Sequence, residues 1–300
     1  MQKLIWAVTR KVYDVLGPAN AWRLAMSPPV VAILKFIAYV AGSRTIPFTT
    51  KYGLTLKLRV GDILFGGFLH LGESNPLEMY VLRKILNPND IVVDVGAHLG
   101  WYTVNSAQMV GSGGTVYAFE PNPSVAAWLD ENCKLNGLTN VRIERIALAD
   151  RNSTADFFVG GADSLGSLKL VNAKRNNLER VHRIKVPLRT LDGYLKTQDI
   201  NTLKMIKVDA EGADLEVMKG AERLLRKLHP YLIVEVFGLT WNTDVGRDKK
   251  ILAYLEKLGY KAYAFVQGGL QRYNPGNGQP QIINLFFARR ETELRKLRLI

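Results

Sequence analysis

The stretch Ile91–Thr103, IVVDVGAHLGWYT, is an unbroken apolar run that carries an acid near its end and then breaks into glycines. Continuous apolar residues bounded by glycine read as a strand buried on both faces, the kind found in parallel sheets covered by helices. The pattern recurs from Asp90 onward. IVVDVG, GTVYAFEP, VRIERIAL, LKMIKVDAEG, YLIVEVFG and INLFFARR alternate with helix-patterned segments such as PSVAAWLDENCKLNG and DLEVMKGAERLLRKLH. This alternation predicts a doubly wound α/β fold, a mostly parallel sheet with helices on both faces. In such sheets ligands bind beyond the carboxyl ends of the strands, at glycine-bearing turns.

The remaining composition narrows the function. In 300 residues, 47% are apolar and 22% charged, which suits a globular chain with a full-sized core and excludes extensive disorder. The lone cysteine, Cys133 in DENCKLNG, excludes a disulfide framework and a Cys/His zinc site, and fits a reducing, cytoplasmic compartment. MQKLIWAV is broken by TRK too soon for a secretory signal. PPVVAILKFIAYVAG holds roughly a dozen apolar residues around Lys35, short of the ~20 that span a bilayer. Leu4, Ile5, Val8, Val12, Val15 and Leu16 share one helical face, so residues 1–50 are expected to be a helical extension docked on the domain, with peripheral membrane contact as the alternative. The net charge of +13 concentrates in LKLVNAKRNNLERVHRIKVPLR and ARRETELRKLRLI, which attract anionic glycan, lipid or nucleic acid unless they are simply a solvated basic face. The expected organisation is the extension, one domain over residues 51–290 with its motif core at 73–238, and a basic tail over 291–300.

At the ligand edge, Asp94 is followed by Gly96 and Gly100, a GxxxG pattern and not the three-glycine dinucleotide fingerprint. Glu120 ends the second strand twenty residues after Gly100, where an acid can accept hydrogen bonds from both ribose hydroxyls. The third run ends in ALAD, which puts Ala147, Leu148 and Asp150 where an adenine would lie. A lone glycine turn or strand-end acid is usually structural; three in register are a signal. A ribose acid and an adenine site without a diphosphate turn suggest S-adenosylmethionine, its methionine portion resting on the glycine turn and Asp94 orienting that turn or meeting the ammonium through water.

The fourth strand places Lys207 and Asp209 on one face of a central strand, where a buried charge is costly unless paired. Helix capping accounts for Asp209 and Glu211 but not for Lys207. Glu235 ends the fifth strand. Methyl transfer is an in-line displacement at an activated sulfonium, so the protein must align the acceptor and remove its proton, and Lys207, Asp209 and Glu235 are the candidates. Lys207 serves as base only if desolvation outweighs Asp209; otherwise Asp209 or Glu235 takes the proton. Magnesium on Asp209 and Glu211 is a rival route that is not expected, because no third ligand is evident. His182, in the basic segment, is the next base candidate, while His70 and His229 read as packing or surface residues.

Together NPNDIVVDVGAHLGWYT, VYAFEPNP, NVRIERIALAD, VPLRTLDGYL, LKMIKVDAEGADLEVMKGAE and LIVEVFG, spanning Glu73 to Gly238, resemble the FkbM family of S-adenosylmethionine-dependent methyltransferases. The resemblance implies a class I methyltransferase, Rossmann-like fold and O-methylation of a hydroxyl on a sugar, glycan or secondary metabolite. It gives the cofactor contacts as Asp94, Gly96, Ala97, His98, Gly100, Tyr102, Thr103, Glu120, Pro121, Ala147, Leu148, Asp150 and Asp209; His98 stands where many relatives carry Asn. The expected acceptor is a small molecule or glycan, anionic or lipid-linked in view of the charge, ahead of nucleic acid. An exocyclic-amine enzyme would show an Asn/Asp-Pro-Pro-aromatic turn where DAEG stands, and a pyrimidine C5 enzyme would need a cysteine at a strand end. RNA 2′-hydroxyl methylation is the rival enzymatic reading. A cofactor-binding module at a membrane or glycan assembly is the non-enzymatic one, and it leaves Lys207 and Glu235 without a task. The basic segment KLVNAKRNNLERVHRIK is expected to flank the acceptor site.

Overall fold

The computed structural model describes residues 45–50, 52–59, 75–159, 166–168, 181–236, 247–274 and 284–300. The expected helical face of the first sixteen residues, the apolar run around Lys35, His70 and positions 169–180 of the basic segment lie outside the described residues. The chain divides into two compact units, residues 1–76 with 134–137 and residues 77–133 with 138–300, so the boundary expected at residue 50 falls at Pro76. In the first unit β1 (Thr45–Thr49) and β2 (Thr55–Arg59) pair antiparallel and bury Phe48, Leu56 and Leu58.

The second unit carries the site. In chain order its described strands are β3 (Ile91–Val95), β4 (Thr115–Phe119), β5 (Val141–Glu144), β6 (Ala147–Leu148), β7 (Ser153–Val159), β8 (Gly166–Ser167), β9 (His182–Arg189), β10 (Met205–Val208), β11 (Tyr231–Glu235), β12 (Lys261–Val266), β13 (Gly269–Arg272) and β14 (Asn284–Ala288). The described helices are α1 (Pro76–Ile85), α2 (Trp101–Val110), α3 (Pro123–Leu135), α4 (Leu191–Lys196), α5 (Asp214–Gly220), α6 (Glu222–Leu228), α7 (Arg247–Lys257) and α8 (Glu291–Lys296). The main sheet has the order β5-β4-β3-β10-β11-β14-β12-β13. β5, β4, β3, β10 and β11 run parallel, and β14 inserts antiparallel between β11 and β12. This is the strand order of a class I methyltransferase, a doubly wound, Rossmann-like sheet.

Strand parity sets which side chains meet. Val93, Val95, Ile206, Val208, Leu232 and Val234 pack on one face, under α4, α5, α6 and α7. Val92, Met205, Tyr231, Ile233 and Phe286 pack on the other, under α1, α2 and α8. Because strand side chains alternate, Asp94, Lys207, Glu235 and Asn284 fall on this second face at its carboxyl edge. β10 lies between β3 and β11, with Lys207 in register with Asp94 and Ile233.

Two expectations are corrected here. The run VRIERIAL does not form one strand: β5 ends at Glu144, and Ala147–Leu148 leaves to pair with β9 in a second sheet of order β6-β9-β7-β8. Arg142 and Arg145 are exposed along the run, which suits an edge strand, whereas Ala147 and Ala149 bury against Val186 and Leu188. The last ten residues, expected as a basic tail, pack on the domain. Leu294 and Leu299 are buried in the core, the Leu270 amide donates to the Leu299 carbonyl, and the Tyr231 and Tyr263 hydroxyls donate to Glu293 and Glu291. Among the described residues no helix is long and apolar enough to cross a membrane.

Candidate active site

Beyond β3 the chain turns through Gly96–Gly100. The Gly96 and Ala97 amides both donate to the Phe119 carbonyl, at 3.0 and 3.1 Å. Gly96 has φ +72°, and a Cβ there would overlap the Asp209 carbonyl oxygen. Gly100, at φ +94°, faces Leu129 in the same way. Packing within the protein therefore requires both glycines: at Gly96 the turn after β3 packs on the turn after β10, and at Gly100 it packs on α3. His98 also has positive φ, and its amide donates to Glu120 Oε2 at 3.0 Å while the Asn122 amide donates to Oε1 at 2.9 Å. Glu120, which precedes Pro121, thus clasps two turns together from a buried position. The Thr103 hydroxyl donates to Asp94 Oδ2 at 2.6 Å, and Asp94 Oδ1 is buried with no hydrogen-bond partner.

On the neighbouring strands Lys207, 3% exposed, places Nζ 2.9 Å from Asp209 Oδ2 and 4.9 Å from the centre of the Tyr102 ring. Burial pulls the ammonium pKa down, but the neighbouring acids, Asp209 and then Asp94 foremost, outweigh it and hold it above the ordinary lysine range. Lys207 is a fixed cation, so the expectation that it could act as base is corrected. Burial pushes Asp209 up; Lys207 and a hydrogen bond from Glu235 outweigh that and hold it low. Glu235 goes the other way: burial, then repulsion by Asp209, push it well above the carboxylate range. Asp209 and Glu235 share a hydrogen bond, and the single buried lysine favours the charge on Asp209.

A buried acid absent from the expected set completes the cluster. Glu78 of α1 accepts from Asn284 Nδ2 at 3.0 Å through Oε1, and its Oε2 is buried without a partner. Burial raises its pKa to about 7, with the hydrogen bond from Asn284 and the charge of Lys207 pulling the other way. Its sequence signal is periodicity: Glu78, Val81, Leu82 and Ile85 stand at i, i+3, i+4 and i+7, an acid on an apolar stripe.

Other expected residues fall elsewhere. Ala147 and Leu148 belong to β6, and Asp150 is exposed in an ion pair with Arg151 at 3.0 Å, so the third strand end is Glu144, whose Oε1 accepts the Tyr194 hydroxyl at 2.6 Å. The Glu211 carbonyl accepts from the Ser167 hydroxyl at 2.8 Å, tying β8 to the turn after β10. Among the described residues no group of three or more His, Cys, Asp or Glu is arranged to hold a metal ion. His182 is exposed on β9, and Cys133 is buried on α3 with its thiol pushed up to about 12 by burial.

These carboxyls predict a pH dependence of stability. Glu78 and Glu120 move from an ordinary 4.5 to about 7, each chiefly by burial. A raised folded pKa gives stability that is complete below the unfolded pKa and lost as pH rises through the folded one. The melting temperature should therefore fall between about pH 4.5 and 7, each group contributing at most roughly 3 kcal/mol. Glu120→Gln should flatten part of that slope in a thermal melt series; a wild-type curve flat across the window would show that these carboxyls ionise normally.

The profile of the Methyltransferase FkbM domain matches residues 94–262, more than half the chain. The chain belongs to the FkbM methyltransferase family. A similar relative is the 2-O-methyltransferase NoeI of Sinorhizobium fredii, 25% identical over 52% of this chain and 67% of that protein. The hexuronic acid methyltransferase AglP of Haloferax volcanii is 25% identical over 60% of this chain and 72% of that one. A tRNA(Phe) (4-demethylwyosine(37)-C(7)) aminocarboxypropyltransferase of Methanocaldococcus jannaschii is 35% identical, but over 33% of this chain and little more than a third, 37%, of its own length. The FkbM site fits S-adenosylmethionine: the buried, partnerless Asp94 Oδ1 suits an ammonium, and the buried Glu120 carboxylate suits ribose hydroxyls.

Proposed function

We propose that this FkbM methyltransferase moves the methyl group of S-adenosylmethionine to a hydroxyl of a sugar, a glycan or a hydroxylated secondary metabolite. The observation that carries the reading is a set of acceptor-only oxygens without donors on one face of the sheet: Asp94 Oδ1, Glu235 Oε2, Glu78 Oε2 and Asn284 Oδ1. Each unmet buried acceptor costs about 1–3 kcal/mol, so the site favours a partner rich in O–H and N–H donors. The NoeI and AglP relatives, a 2-O-methyltransferase and a hexuronic acid methyltransferase, support the same class. The sulfonium supplies an activated methyl group. The chain binds and orients: Glu120 toward the ribose, Asp94 toward the ammonium, and Lys207 with Asp209 and Glu235 toward the acceptor. An anionic or lipid-linked acceptor would keep its charge away from the reacting hydroxyl, because that edge is lined by carboxyl groups. RNA is the second reading, favoured by the net charge of +13.

Calorimetry with S-adenosylhomocysteine tests the cofactor. Glu120→Ala should weaken it by about 1.5–3 kcal/mol, roughly 10- to 150-fold, for a lost charge-assisted hydrogen bond. Micromolar NAD binding with none for S-adenosylhomocysteine overturns the reading. Methyl transfer from labelled S-adenosylmethionine to methyl glycosides and to RNA, run in parallel, tests the acceptor; transfer to RNA alone selects the second reading.

A further inference from the structure

Resting on the hydroxyl-methylation reading, we propose that Glu78 is the catalytic residue that takes the acceptor's proton, with Asn284 as the positioning residue that aims it. An acid in the first turn of a helix is unremarkable when solvated, where it meets the helix dipole. Glu78 is 8% exposed, and a leucine would fill the same stripe at no electrostatic cost. It reaches instead across to β14, where Asn284 Nδ2 holds Oε1 at 3.0 Å and leaves Oε2 buried and partnerless. Asn284 is in register with Glu235 at the carboxyl end of β11, so Glu78 stands over β11 and β14, whereas the Asp94 and Glu120 turns lie at β3 and β4.

The competing acids are already engaged. Asp209 is bound by Lys207 and by Glu235, and burial with repulsion by Asp209 pushes Glu235 well above the carboxylate range. The groups that face Glu78 are Lys207 and Asp209 at the end of β10 and Asn284 on β14. Lys207 and Asp209 act on it with opposite sign, so burial dominates and the carboxyl titrates at about 7, near the optimum for a general base. The step balances: the acceptor oxygen forms a bond to the methyl carbon as the carbon–sulfur bond breaks, the sulfur keeps that electron pair and becomes neutral, and the hydroxyl proton passes to Glu78 Oε2.

The test compares wild type, Glu78→Gln and Glu78→Asp, using labelled S-adenosylmethionine with neutral methyl glycosides of hexoses, 6-deoxyhexoses and pentoses, methyl glucuronide and RNA as probes. Glutamine can still accept from Asn284, and aspartate keeps the charge with a shorter reach. Glu78→Gln is expected to bind S-adenosylhomocysteine within twofold of wild type and to lose 100-fold or more in kcat, without the wild-type rise in rate through about pH 7. Glu78→Asp is expected to fall between the two and to keep the pH dependence, which separates chemistry from misfolding. Wild-type turnover in Glu78→Gln overturns the assignment. A tenfold loss of S-adenosylhomocysteine affinity with kcat unchanged overturns it in favour of a cofactor contact. If wild type binds S-adenosylhomocysteine yet methylates none of these probes, the hydroxyl reading falls and this assignment with it.

Discussion

Replacing Lys207 by methionine is expected to remove about 3 kcal/mol of stability, the lower end of the range for breaking a buried ion pair, because Asp209 keeps 32% of its side chain exposed. For a domain of this size that is a fall of roughly 6–10 °C in melting temperature. Methionine matches the volume of the lysine stem, so the loss is electrostatic: Asp209, the ion-pair partner of Lys207, and Asp94, in register with Lys207 on β3, would be left at the sheet edge with no cation between them. The loss should shrink at pH 5, where the stranded carboxyls can take up protons instead. Adding Asp209→Leu should recover part of it, since an apolar pair often replaces a buried ion pair at little cost. Thermal melts of the single and double variants at pH 5 and pH 8 read all of this. A single variant melting within 2 °C of wild type would show that the pair is solvated and that its place on the central strand has no energetic weight.

Asp209→Asn and Glu235→Gln are each expected to cut turnover by about 10², with the fold and S-adenosylhomocysteine affinity largely kept. Asp209 fixes Lys207 at 2.9 Å and shares a hydrogen bond with Glu235, so either change loosens groups that would orient the acceptor hydroxyl against the methyl group. Both variants should keep the pH rise assigned to Glu78, and that separates orientation from proton removal. Single-turnover transfer on a methylated probe, with melting temperature measured alongside, gives the comparison. If both variants react at the wild-type rate, these acids are structural. Activity that vanishes on chelation and returns with magnesium would move the chemistry to a metal held by Asp209 and Glu211.

Much of this site is legible in the sequence because strand side chains alternate with period two. Asp94, Lys207 and Glu235 fall on one face as soon as IVVDVG, LKMIKVDAEG and YLIVEVFG are read as strands, and parallel neighbours bring them to one edge. The class of fold follows from the same runs, since a strand buried on both faces must be apolar throughout and an alternating series of such strands and helices closes in few ways. The family follows from motifs held in order along more than half the chain.

Tertiary structure decides the rest. VRIERIAL reads as one strand because an edge strand and its exit share the same local composition; only burial of Ala147 and Ala149 against β9 shows where the chain leaves the sheet. Why position 96 must be glycine is also a tertiary matter: a Cβ there would meet the Asp209 carbonyl, more than a hundred residues away. Glu78 and Asn284 stand 206 positions apart, and no local pattern links them. Which of the gathered acids holds a proton was open for a stronger reason. Ionisation depends on the sum of burial and every charge within reach, so Lys207 could be base or cation, and Glu235 acid or base, until the distances between strands were fixed.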